Sequence, residues 1–281
     1  MSPSSRDDAP PGRAGALDRA AQILGAFTTA NRELTLDALV LRCGLPRSTT
    51  HRTADTMIRL DWLEKTAGRY RIGKRLFELS GLAPVRLELR ETVLPYLQDL
   101  YGAVNATVQL GVLDVDHVLV VEKITGHRPM PMLSPVGGSV PAHCSALGRA
   151  ILAFSPPAVV DKVIAAGLEA QTERTITTAS GLKRELAAAA DRGWSVEHEE
   201  GNVGVTCVGA PIFGPRGDVA AALSVTGPSE LLRTDRAVSA VRTAAAGASR
   251  AYRSRPAAGP AVTSSAFCTA ASGTNEGDDA E

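Results

Sequence analysis

The sequence predicts an α+β protein of two domains: a small helical N-terminal domain with a β-wing, and a larger C-terminal domain on a mainly antiparallel sheet. Three observations predict it. A helix–glycine–helix pattern over residues 35–59 runs directly into a short basic hairpin pattern that ends at Lys74. Beyond Arg90 the chain changes to β-branched runs in hairpin pairs, with helical runs grouped between them, as in α+β sheet domains. Both ends of the chain are too poor in large apolar residues to bury a core.

Residues 1–15 are polar and Pro-containing, without the apolar stretch of a signal peptide, and are expected to be disordered. Residues 16–29 form an amphipathic helix with Leu17, Ala20, Ala21, Leu24 and Phe27 on one face. Leu36, Leu39, Val40 and Cys43 then recur at helical spacing, with Thr35 as the cap and Gly44 as the stop. Leu45 and Pro46 open a second helix, where the missing proline N–H costs nothing. Ala54, Met57, Ile58 and Trp62 are its inward stripe. Arg47, Ser48, Thr49, His51 and Arg52 lie on or near its exposed N-terminal half, the part of such a helix that enters a major groove. Residues 60–74 read as two extended runs around Ala67-Gly68, a wing carrying Lys65, Arg69, Tyr70, Arg71 and Lys74. A helix pair with a solvated basic face is the plainer reading of 36–60. The basic hairpin beside it decides for nucleic acid, because the two together hold phosphates on both sides of one groove.

Residues 76–89 read as a short linker, helical in part and interrupted by Gly81 and Pro84. A helix over 91–102 follows. Strands over 106–115 and 118–124 pair around Asp116-His117, and 130–133 is a further short strand. Residues 135–141 form a Gly-rich loop. Helices are expected over 145–154, 156–166 and 180–192, the last ended by Gly193. Strands over 194–199, 203–213 and 219–226 precede a last Ala-rich helix over 234–252. Residues 254–281 are expected to be a disordered acidic tail.

The chain has 281 residues and 30 Lys+Arg against 30 Asp+Glu, so it is neutral as a whole. Residues 1–80 carry 13 basic and nine acidic side chains, a net of +4, while 254–281 have a net of −3. A local basic excess on a neutral chain suggests one nucleic-acid-facing module. The cysteines, Cys43, Cys144, Cys207 and Cys268, form no CxxC pair and read as small buried hydrophobes of a reducing compartment. No run of about 18 apolar residues occurs, so no transmembrane helix is expected. The expected location is cytoplasmic.

The motifs G-L-P-R-S-T-T-H-R (44–52), G-R-Y-R-I-G (68–73), S-P-V-G-G-S-V-P-A-H-C-S-A-L-G-R-A-I-L-A (134–153), R-G-W-S-V-E-H-E-E (192–200), G-V-T-C-V-G-A-P-I (204–212) and A-L-S-V-T-G-P (222–228) occur in this order. Together they make the chain resemble the IclR family of bacterial transcriptional regulators over about residues 17–251. The resemblance implies a winged helix-turn-helix domain over 16–75, the linker over 76–89 and a GAF-like effector-binding domain over 90–253. It implies a regulator that binds double-stranded operator DNA as a homodimer or tetramer and answers to a small-molecule effector. Carried over motif by motif, it places Met132, Ala146, Leu147, Glu197, Cys207, Ser224 and Thr226 around the effector. Thr50 and Thr53 depart from the family's usual aliphatics in the second helix, and their hydroxyls need helix carbonyls or water.

Other chemistries find less support. His143-Cys144 are neighbours on a loop, whereas a nucleophilic dyad must face across a fold. No G-x-S-x-G or Walker-type loop occurs, so no enzyme is expected. His143, Cys144, His198 and Cys207 have no zinc spacing, and no metal or other cofactor is assigned. Some members of the resembled family hold a metal in this domain, which leaves that question open. The alternative from another class is a GAF-like ligand sensor that works through protein partners. For the pocket, hydroxyls at Ser224 and Thr226 beside the helix opened by Ala146 suit a small organic acid or an aromatic metabolite.

Overall fold

A computed structural model describes residues 15–28, 31–80, 87–125 and 134–255. The chain divides into two compact units between Leu87 and Glu88. In the first, α1 (Ala16–Gly25), α2 (Leu36–Cys43) and α3 (Arg47–Arg59) surround a small core. The strands β1 (Leu34–Thr35), β2 (Leu63–Thr66) and β3 (Arg69–Ile72) form an antiparallel sheet in the order β1-β3-β2. Thr35 caps α2 by accepting from the Ala38 N–H at 3.3 Å. Gly44 ends it in the left-handed region at φ 69°, where a Cβ would be strained. The wing turn has positive φ at both central residues, Ala67 at 50° and Gly68 at 77°. This matches the twist of a two-residue hairpin, and the alanine there carries a strain that glycine would not.

The second unit starts on α5 (Leu87–Val104), which follows α4 (Lys74–Ser80) in the chain. Its sheet contains β4 (Thr107–Asp114), β5 (His117–Ile124), β6 (Ser139–Pro141), β7 (Ser195–His198), β8 (Val205–Phe213) and β9 (Val219–Pro228). The order is β6-β5-β4-β9-β8-β7, every pair antiparallel. Side chains alternate between the two faces. Val208, Ala210, Ile212, Leu223 and Val225 face α5 and the last helix, α9 (Thr234–Arg253). The other face carries α6 (Ala146–Leu152), α7 (Pro157–Ala166) and α8 (Ala179–Arg192). Thr178 caps α8 and Gly193 ends it at φ 78°.

Several expectations are corrected. Leu17 is 77% exposed and Ala21 is exposed; the buried face of α1 is Ala20, Ile23 and Ala26, three residues apart. The β4–β5 turn is Val115-Asp116, with His117 already paired to Asp114. The end of the expected Gly-rich loop is an edge strand, β6, paired to β5. Helix α5 begins four residues before the expected 91, inside the expected linker, and α6 has only seven residues. The 130–133 strand, Met132, Gly81 and Pro84 lie outside the described residues. So do the expected disordered ends, apart from Gly15, Ser254 and Arg255.

Candidate functional site

The first turns of α3 carry the basic and hydroxyl side chains singled out in the sequence. Arg47, Ser48, His51 and Arg52 are exposed and Thr49 is half-buried. Arg47 is ion-paired to Asp37, and His51 Nδ1 lies 2.9 Å from the Asp55 carboxylate. Arg52 has no ion-pair partner among the described residues. Arg59, seven positions on and so on the same helix face, was not singled out, although its spacing from Arg52 is legible in the sequence. Thr50 is fully buried and bonds back to the Leu45 and Pro46 carbonyls at 3.3 and 3.2 Å. The departure at this position is therefore satisfied inside the helix.

On the wing, Lys65 and Arg69 are exposed, and Arg71 is paired to Glu64 at 2.8 Å. Tyr70 corrects the expectation. Its register with Leu34 and Lys65 turns it inward, it is 0% exposed in the core with Leu39 and Met57, and it cannot touch DNA from there. Lys65 lies over its ring at 4.8 Å, so the tyrosine holds the wing lysine in place.

In the second unit the structure gathers six of the seven expected effector residues around one cavity of about 220 Å³. The seventh, Met132, is not among the described residues. The floor is drawn from two rows of direct register partners across the sheet, of which Glu197, Cys207, Thr226, Ser224 and Gln109 line the cavity. One row is Glu197, Cys207, Thr226 and Thr107. The next, two residues along, is Ser195, Gly209, Ser224, Gln109 and Lys123. The roof is the start of α6, with Ala146 and Leu147. Two glycines let it approach. A Cβ on Gly209 would lie 2.5 Å from the Ala146 carbonyl oxygen, and one on Gly111 would lie 2.9 Å from Leu147 Cδ1. Ser195 Oγ donates to the same Ala146 carbonyl at 2.6 Å. Ser145 caps α6 by accepting from the Gly148 N–H at 3.1 Å, so one N–H of this short helix is already used.

Glu197 stands in a run of nearby glutamates, and a charge run is usually a solvated face. Glu197 is 3% exposed and lines the cavity. Its Oε2 accepts the Glu200 N–H at 2.9 Å. Burial holds its carboxyl above the usual carboxylate range, against bonds from the Cys207 thiol and the Glu200 N–H. Thr226 Oγ1 donates to Cys207 Sγ at 3.2 Å, continuing the chain along the row. Ser224 Oγ is buried and has no hydrogen-bond partner among the described residues. Gln109, Gln171 and Asn202 also line the cavity. Sequence reasoning missed them; only the alternation that pairs Gln109 with Ser224 could have pointed to the first.

The loop that follows Glu197 and the end of β7 is anchored by a buried ion pair. Arg149 is 1% exposed and donates from Nε to the His143 carbonyl at 2.8 Å and from Nη1 to Glu200 Oε1 at 2.6 Å. Thr175 Oγ1 donates to the Glu200 carbonyl at 2.7 Å, tying in the segment that bears Gln171.

Burial pushes the Cys144 thiol up to about 12 and raises that of Cys207 well above its ordinary value, which favours the neutral thiol over the nucleophilic thiolate at both. His143 points away, its Nε2 donating to the Glu169 carbonyl at 3.1 Å. Among the described residues no three His, Cys, Asp or Glu side chains gather as metal ligands. No helix there is long and apolar enough to cross a membrane.

Residues 16–67 match the family described as IclR helix-turn-helix domain, and residues 83–250 match Bacterial transcriptional regulator IclR C-terminal. The chain is 32% identical over 230 residues to the transcriptional repressor IclR of Escherichia coli, covering 80% of this chain and 84% of that one. It is 32% identical over 241 residues to the glycerol operon regulatory protein of Streptomyces griseus, covering 83% and 94%. Among solved structures it is similar to an IclR homologue from Microbacterium hydrocarbonoxydans complexed with 4-hydroxybenzoate. The TM-score is 0.76 at 30% identity, over 86% of this chain and 100% of that one.

Proposed function

The chain belongs to the IclR family of bacterial transcriptional regulators, DNA-binding proteins with a C-terminal effector domain, and from that premise we propose which of its residues hold DNA and effector. The α3 face with Arg47, Ser48, Thr49, His51 and Arg52 reads the operator, and Arg59 extends it. Lys65, Arg69 and Arg71 hold phosphates from the wing. The cavity over Glu197, Cys207, Ser224 and Thr226 takes a small metabolite that shifts DNA affinity. The observation that carries the cavity reading is the Ser224 hydroxyl, buried in its floor and without a hydrogen-bond partner among the described residues. A buried hydroxyl without a partner costs about 1–3 kcal/mol, and a ligand that supplies the bond recovers it.

A volume of about 220 Å³ is below the range of drug-sized sites, so the ligand is a small organic acid or a single aromatic ring. The 4-hydroxybenzoate on the Microbacterium homologue supports that class. A thermal-shift screen of small acids and aromatics, followed by operator titration with each hit, tests the reading. Ser224→Ala should weaken a hit and leave ligand-free DNA binding unchanged. A hit that binds this variant as tightly as the parent places the effector elsewhere.

Two predictions concern DNA. Arg52→Ala should lose about 1–3 kcal/mol of operator affinity and relax specificity at one base pair, while Arg69→Ala weakens operator and random DNA alike. Binding titrations on both DNAs at several salt concentrations separate the two roles. Equal losses on both DNAs for every α3 substitution would remove the base-reading assignment. One winged domain reads too few base pairs for a genome, so a homodimer or tetramer on a partly palindromic site is expected. Light scattering at micromolar concentration checks it, and a monomer with and without DNA refutes it.

A further inference from the structure

The cavity's two rows end on opposite charges. At the β7 end stands the Glu197 carboxyl. At the other end, Lys123 is the register partner of Gln109, which is the partner of Ser224, so all three side chains share the cavity's face of the sheet. Lys123 Nζ and Gln109 Nε2 donate to one acceptor, the Ser134 carbonyl, at 3.2 and 3.5 Å. Ser134 and Gln109 both line the cavity, so the ammonium stands one carbonyl behind its wall. Partial burial lowers the Lys123 ammonium below its ordinary value. Among the described lining residues, Glu197 is the only carboxylate, and none is Lys, Arg or His.

An acid lying beside Glu197 meets a like charge or a neutral carboxyl. An acid lying at the Gln109 end has an amide and, behind it, an ammonium. A hydroxyl fits the reverse way. Glu197 accepts bonds when ionised, and the Thr226 hydroxyl already donates to Cys207, leaving its lone pairs to accept. Both point to a donor on the ligand at that end.

Resting on the reading of this cavity as the effector site, we propose that the effector is a hydroxy acid held in one direction. Its carboxylate lies toward Lys123 and Gln109, its hydroxyl toward Glu197, and Lys123 is the residue that selects for the acid.

The test pairs two substitutions with ligands that lack one end. The probes are 4-hydroxyphenylacetate, phenylacetate and 4-hydroxyphenethyl alcohol, with glycolate, acetate and ethylene glycol as the smaller series, titrated calorimetrically into the full chain at pH 8. The hydroxy acid of at least one series should bind tightest. Lys123→Met should weaken it tenfold or more and change the matching alcohol less than twofold. Glu197→Gln should alter the two hydroxyl-bearing probes and leave the plain acid within twofold. Melting points of the unliganded variants, within a few degrees of the parent, show that the fold is kept. The direction is wrong if Lys123→Met weakens acid and alcohol equally or weakens neither. If acids bind, are lost in Ser224→Ala and release operator DNA, the effector site stands while the direction falls. If none of the six binds and none changes DNA affinity at millimolar concentration, both fall.

Discussion

Arg149→Ala is expected to destabilise the C-terminal unit by about 3–5 kcal/mol, the cost of breaking a buried ion pair from one side. The guanidinium is 1% exposed and the Glu200 side chain 11%, so the carboxylate left behind has little water to turn to. Two backbone carbonyls, of His143 and Val196, lose their donor as well. The damage reaches the cavity, because the Glu200 N–H bonds to Glu197 in its floor. Urea unfolding followed by circular dichroism should show the later of two transitions, or a shared one, moving to lower denaturant. Arg149→Met combined with Glu200→Leu removes both charges together and should recover most of the loss, since an apolar pair avoids the desolvation that the ions carry. A single-variant loss under about 1 kcal/mol, typical of surface pairs, would show that the site is wetter than the geometry indicates.

The sequence made the N-terminal unit legible because its signals are local. Thr35, Gly44 and Pro46 mark helix ends by their own backbone and capping chemistry, and Ala67-Gly68 marks a turn. Where side-chain direction depends on a partner strand, the reading failed. Tyr70 looked like a wing contact among arginines, yet pairing with the two-residue β1 turns it into the core. A strand that short gives no periodicity to find. The same holds for β6, which is a strand only because β5 pairs with it. In the cavity, Ser224 and Thr226 were legible by alternation on one strand. Gln109 and Lys123 were not, because their place beside Ser224 is fixed by the order β5-β4-β9, which joins segments about 100 residues apart. The inward turn of Glu197 was hidden for another reason. In a run of three nearby glutamates, composition favours a solvated face, and only the fold shows that Glu197 turns inward while the Glu200 carboxylate is taken by Arg149.

The second large effect is expected where helix meets bare backbone. A Cβ on Gly148 would sit 2.2 Å from the Ala142 carbonyl oxygen and 2.4 Å from its Cα. These are backbone atoms of the turn between β6 and α6, so no side-chain rotation relieves the overlap. Gly209 poses the same problem from the sheet side, with Ala146 backbone atoms at 2.5 and 2.8 Å. Helix α6 cannot lift away cheaply, because all seven of its residues are buried. Gly148→Ala and Gly209→Ala should each lower stability by about 3 kcal/mol, at the upper end of overpacking costs. In a unit of this size that is a melting point lower by about 6–12 °C. Gly102→Ala is the control: its Cβ meets nothing within 4 Å on α5, and alanine favours the helix. It should leave the melting point unchanged or raise it slightly. Whichever of the two clashing variants remains folded should also lose effector binding, because relief of either clash moves Ala146 and Leu147 off the cavity floor. Gly209→Ala melting within a degree of Gly102→Ala would mean that α6 is not seated against bare backbone on β8, and the cavity's roof would have to be placed differently.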